Sequence, residues 1–77
     1  MGIVPILRAR EVISILYKAG FRLAGQKGSH IKLKHHLDPR KIVTVPFHNK
    51  DVPRKTLMSI LKQAGLTVKE FLKLLGK

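Results

Sequence analysis

The chain has 77 residues, with sixteen Lys and Arg against four Asp and Glu, a formal net charge of +12 and a pI near 10.9. So short a chain predicts one domain with one small core over residues 1–77, and it excludes an enzyme built from a cofactor-binding half and a substrate-binding half. The charge points to polyanionic partners, nucleic acid first, and the absence of cysteine excludes disulfides and thiolate metal sites.

After a short extended entry, Ala9 to Ala19 carries apolar residues at Val12, Ile13 and Leu16, with Tyr17 beside them, which predicts an amphipathic helix. Gly20 suits the left-handed position after its end, and Phe21 can fold back onto that cap. From Phe21 to Gln26 the period changes to two, with Phe21 and Leu23 on one face and Arg22 on the other. Gly25 and Gly28, separated by Gln26 and Lys27, read as a tight hairpin turn into a second strand, His30 to His35. Alternation then puts His30, Lys32 and Lys34 on one face and Ile31 and Leu33 on the other.

A loop with His36, Asp38 and Pro39 leads to the β-branched run Lys41 to Val45, a third strand that ends at Pro46. Phe47 to Lys50 read as a loop. Asp51 is placed to cap the next helix and Pro53 to occupy its first turn, with Leu57, Ile60, Leu61 and Ala64 as its buried stripe. Gly65 stops that helix. Thr67 and Glu70 form a capping box for a short last helix burying Val68, Phe71, Leu72 and Leu75. The order predicts an α+β domain, α-β-β-β-α with a short C-terminal helix, in which helices cover one face of a three-stranded antiparallel sheet. This is the arrangement of double-stranded RNA-binding domains, a likeness of fold alone.

Among residues able to carry chemistry, His30 stands first. It exchanges protons near neutral pH and sits among fixed cations on an open strand face, a combination suited to a phosphodiester. A plain surface histidine is the competing reading. If it is catalytic, it takes the proton from a ribose 2′-hydroxyl while Lys27, Lys32 and Lys34 offset the charge on the phosphate and Ser29 offers a hydrogen-bond donor. His48 reads as a second proton-transfer group or RNA contact, or simply as a loop histidine. Arg54 and Lys55, at a helix start, are placed to hold a phosphate or to form a solvated basic end.

Two-metal hydrolysis is disfavoured, because it needs converging carboxylates and the sequence holds only Glu11, Asp38, Asp51 and Glu70. The adjacent His35 and His36 would point oppositely on a strand, and no cysteine completes a zinc site. No cofactor is expected. No apolar run spans a bilayer, and Met1 to Leu7 lacks the features of a secretory signal. Ile6 stands where a myristoylation motif wants Ser or Thr. The expectation is a soluble cytoplasmic protein with no membrane partner.

Taken in order, Lys18-Ala19-Gly20-Phe21, Gly28-Ser29-His30, Val45-Pro46-Phe47-His48 and the run from Thr56 to Leu66 resemble the HicA family of toxins. The resemblance runs from about Arg10 to Phe71, and its ordered set of motifs is specific where no single one is. It implies a small RNA-cleaving toxin, an mRNA interferase with a double-stranded RNA-binding-like fold, neutralised by an antitoxin named HicB. It makes the Gly-Ser-His histidine, here His30, the catalytic residue. The expected partners are RNA and a HicB-like antitoxin, the chain being a monomer alone or part of a toxin–antitoxin hetero-oligomer. The alternatives are a non-catalytic RNA-binding module of the same fold and a DNA-binding accessory protein.

Overall fold

In the computed structural model, which describes residues 6–47 and 51–76, the chain runs α1 (Ala9–Lys18), β1 (Phe21–Lys27), β2 (His30–His35), β3 (Ile42–Pro46), α2 (Arg54–Ala64) and α3 (Val68–Leu75). The strands form an antiparallel meander in the order β1-β2-β3, with the helices against one face. This is the α+β architecture of double-stranded RNA-binding domains that the element order predicts.

The core lies between sheet and helices. Phe21, Leu33, Val43 and Val45 enter it from the strands, Ala9, Val12, Ile15 and Leu16 from α1, Leu57, Ile60, Leu61 and Ala64 from α2, and Phe71 from α3. The α1 stripe is rotated from the expected one. Ile15 is buried, Ile13 is half-buried, and Tyr17 is exposed with the Arg22 guanidinium 5.7 Å above its ring.

Each helix start shows how local chemistry was satisfied. Arg8 has no side-chain acceptor for the first turn of α1, but the Glu11 carboxylate reaches back to accept the Arg8 N–H at 2.9 Å. In α3 the expected reciprocal box is complete: Thr67 N–H donates to Glu70 Oε1 at 2.9 Å and Glu70 N–H to Thr67 Oγ1 at 3.0 Å. Asp51 does not cap α2. Pro53 holds the N-cap position without a side-chain bond. Asp51 instead bridges to Arg8 and forms an ion pair with it at 3.9 Å. The burial of Val52, whose N–H donates to Leu7 O, keeps this segment extended and carries Asp51 away from the helix end.

The first hairpin departs from the expected turn in one consequential way. Gly28 and Ser29 alone make the turn, between the opposed pair Lys27 and His30, with Gly28 at φ +59°. Gly25 lies inside β1. The register pairs Leu23 with Leu33 and then Gly25 with Lys32, so Ala24 has no opposite number and forms a bulge. One extra residue reverses the parity of everything after it. If Ala24 were paired in unbroken alternation, Lys27 would face the helices; with Ala24 bulged out, Lys27 shares the open face with His30. Before the bulge, Leu23 faces the helix side as expected but is 58% exposed, because helix packing buries this edge strand only at its start, at Phe21.

The other edge is closed. Thr44 N–H, pointing outward from β3, donates to Gln63 Oε1 of α2 at 3.1 Å, and Gln63 Nε2 donates to Ser59 Oγ at 3.3 Å. Pro46, next outward in the alternation, has no N–H to offer.

Candidate active site

The face of the sheet turned away from the helices is built in rows across the three strands. Lys27, His30 and Pro46 make one row, Gly25, Lys32 and Thr44 the next, and Arg22, Lys34 and Ile42 the third. Opposed residues on neighbouring strands stand about 5 Å apart and successive rows about 7 Å. Seven of these nine positions are exposed Lys, Arg, His or Thr, or a glycine with no side chain. The Arg22 guanidinium leaves the face, bending round the edge to donate to Tyr17 O at 3.0 Å and Phe21 O at 2.7 Å.

Over the first two rows lies a shallow hollow of about 250 Å³, lined by Ala24, Gly25, Gln26, Lys27, His30, Lys32 and Thr44. It brings together three of the residues singled out in the sequence: His30, Lys27 and Lys32. Lys34 is on the same face one row beyond. Ser29 is half-buried in the turn, where its carbonyl accepts the Phe47 N–H and so continues the ladder past the strand end. Arg54 and Lys55 are exposed in the first turn of α2 and line no part of the hollow. His48 lies outside the described residues. Sequence reasoning missed Gly25 and Thr44. In the sequence Gly25 reads as a turn residue, and Thr44 carries no signal beyond β-propensity.

The remaining histidines have other work. His35 is held on three sides: its Nδ1 accepts the N–H groups of Leu37 at 3.1 Å and Asp38 at 3.3 Å, leaving Nε2 as the protonated nitrogen, which donates to Ala19 O at 3.1 Å. Its ring meets Phe21 edge-on at 5.1 Å and stacks with His36 at 5.4 Å. The two adjacent histidines therefore do not point oppositely. His36 is beyond the strand end, where alternation no longer applies.

All four carboxylates are engaged away from the hollow. Glu11 and Glu70 serve helix starts, and Asp51 meets Arg8. Asp38 accepts the N–H and Nε of Arg40, both at 3.2 Å. The Arg40 side chain, and then its backbone N–H, hold the Asp38 carboxyl below its ordinary value. The Thr67 backbone N–H, and then its side chain, do the same for Glu70. The open face therefore presents cations and a histidine with no acidic residue in the hollow, an arrangement that receives anions.

The fold and site define a small α+β domain of the double-stranded RNA-binding type with a basic, histidine-bearing open face. The family described as "HicA toxin of bacterial toxin-antitoxin" matches residues 9–66, which include every strand and both longer helices. The chain belongs to that family, the toxins of bacterial toxin–antitoxin pairs. No curated protein matches the chain significantly. Among the described residues, no helix is long and apolar enough to cross a membrane.

Proposed function

We propose that this toxin is a metal-independent endoribonuclease, an mRNA interferase that grips RNA on the open face of its sheet and cuts it with His30. The observation that carries the reading is the bulged register, which adds Lys27 to Lys32 around an exposed histidine while all four carboxylates are used elsewhere. His30 accepts the proton of a ribose 2′-hydroxyl, and the 2′-oxygen forms a bond to the adjacent phosphorus. The bond from phosphorus to the 5′-oxygen breaks, and that oxygen leaves with a proton from solvent. Lys27 and Lys32 offset the charge that builds on the phosphoryl oxygens, and Lys34 holds the strand one row further on. Ser29, His48, Arg54 and Lys55 supply further RNA contacts.

The same face suits inhibition. An acidic, HicB-like antitoxin seated over His30 and the lysines excludes RNA by occupying its ground, with the field of a +12 chain speeding association. The sequence expectation of a cytoplasmic protein fits this role.

Labelled RNA incubated with the purified protein in EDTA tests the reading. Cleavage is expected, with 2′,3′-cyclic phosphate and 5′-hydroxyl ends, and His30→Ala should lower the rate at least about a hundredfold with an unchanged circular dichroism spectrum. Binding without cleavage would make the protein a non-catalytic RNA-binding module. A 5′-phosphate product would point to attack by water, and full activity in His30→Ala would remove His30 from the chemistry.

A further inference from the structure

We infer that the hollow beside His30 is a ribose seat, with the backbone at Gly25 as its floor and Thr44 as its far wall, an inference that rests on the reading of the protein as a ribonuclease. In the middle row of the open face, β1 contributes a residue with no side chain, opposite Lys32 and flanked by the rows of Lys27 and Lys34. A Cβ built at Gly25 would meet nothing within 4 Å, so the space above it is open. The gap is about one strand spacing wide and one row long, roughly 5 by 7 Å, the size of a single sugar ring.

The chemistry of the walls selects the sugar over the base. Apart from the His30 ring, no aromatic side chain lines the hollow, so nothing there offers the stacking platform on which proteins hold unpaired bases. What lines it instead is the bulge at Ala24 and Gly25, the polar Gln26, two lysines and one threonine. Thr44 is held from behind: its N–H is fixed by Gln63, which is fixed in turn by Ser59. A ribose over Gly25 brings its 2′-hydroxyl to His30 and its 3′-phosphate to Lys27 and Lys32. Thr44 is then a positioning residue that donates to the sugar-phosphate. Recognition of a sugar rather than a base makes this subsite indifferent to which base is attached, leaving any sequence preference to contacts outside it.

Gly25→Val tests the floor. A β-branched residue suits a strand, and the Gly25 φ lies outside the positive range, so the variant should melt with the wild type. It should cleave RNA at least tenfold more slowly. No charge is removed, so the salt dependence of RNA binding should keep its slope. Thr44→Val should lower kcat/KM severalfold by removing only the hydroxyl. In parallel, 3′-uridine monophosphate is titrated into the wild type and followed by amide chemical shifts. The expected result is movement of Gly25, His30, Lys32 and Thr44 together, with Gly25 and Thr44 unmoved by inorganic phosphate. If the nucleotide leaves Gly25 and Thr44 unmoved, or if Gly25→Val cleaves at the wild-type rate, the seat is wrong while the nuclease reading stands. If the wild type cleaves no RNA yet the nucleotide moves those four amides, the seat stands and the nuclease reading falls.

Discussion

At the scale of single residues, the two histidines of β2 are separated by what surrounds them. His30 is exposed at the mouth of a hollow, whereas His35 ties the end of α1 to the loop after β2. His35→Ala would leave Ala19 O and two N–H groups without their partner and remove the edge contact with Phe21. Chemical denaturation should show a loss of about 1–3 kcal/mol, with RNA cleavage by the remaining folded protein unchanged. Gly20→Ala should damage the same junction by another route. Gly20 has φ +101°, and a Cβ there would lie 2.6 Å from His35 Nε2, so a stability loss of at least about 1 kcal/mol is expected. Glu70 makes a prediction in pH. Its carboxyl is held below its ordinary value by Thr67, so its stabilising contribution is complete above about pH 4.3 and is lost as pH falls through the lowered value. Glu70→Gln should therefore unfold less steeply in acid than the wild type, as followed by circular dichroism.

Elements differ in how plainly the sequence announces them. The stripe of Leu57, Ile60, Leu61 and Ala64 fixed α2, and the Thr67–Glu70 box fixed the start of α3, because both signals are local and repeat at helical spacing. The alternation of His30 to Lys34 fixed the faces of β2 for the same reason. The bulge was not legible. A one-residue insertion leaves composition and propensity untouched and shows itself only when two strands are aligned, so Gly25 read as part of the turn. Thr44 and Gln63 were hidden likewise: one looks like any strand former, the other like any helix surface residue, and their bond joins positions 19 apart. Asp51 misled because its spacing suits a cap, while the tertiary bridge to Arg8 claims it. Deleting Ala24 tests the role of the bulge. Removing the unpaired residue lets Leu23 run straight into Gly25 with ordinary alternation, so Lys27 should stay opposite His30 on the open face and RNA binding should keep its dependence on log salt. A shallower slope would show that the bulge itself, and not the pairing beyond it, aims Lys27.

For the molecule as a whole, charge governs both stability and binding. Sixteen basic side chains against four acidic ones repel one another across a small surface. Only Asp51 with Arg8 and Asp38 with Arg40 form ion pairs among the described residues, and such exposed pairs offset little. Added salt should therefore raise the melting temperature of the free protein and lower its affinity for RNA over the same range. A fall in melting temperature between 50 and 300 mM NaCl would show that self-repulsion is not what limits stability. A polyanionic partner does locally what salt does in bulk, so the toxin should melt higher in complex with its antitoxin or with RNA.

The unequal edges of the sheet bear on stoichiometry. Gln63 and Pro46 stop hydrogen-bonded growth beyond β3, whereas the outward groups of Leu23 and Gln26 on β1 have no backbone partner among the described residues. A sheet that can be extended on one side only is self-limiting. Two such sheets can close against each other, or one can accept a strand from another protein, but no third copy can join. Edge pairing in this protein ends at a pair and cannot propagate into a fibre.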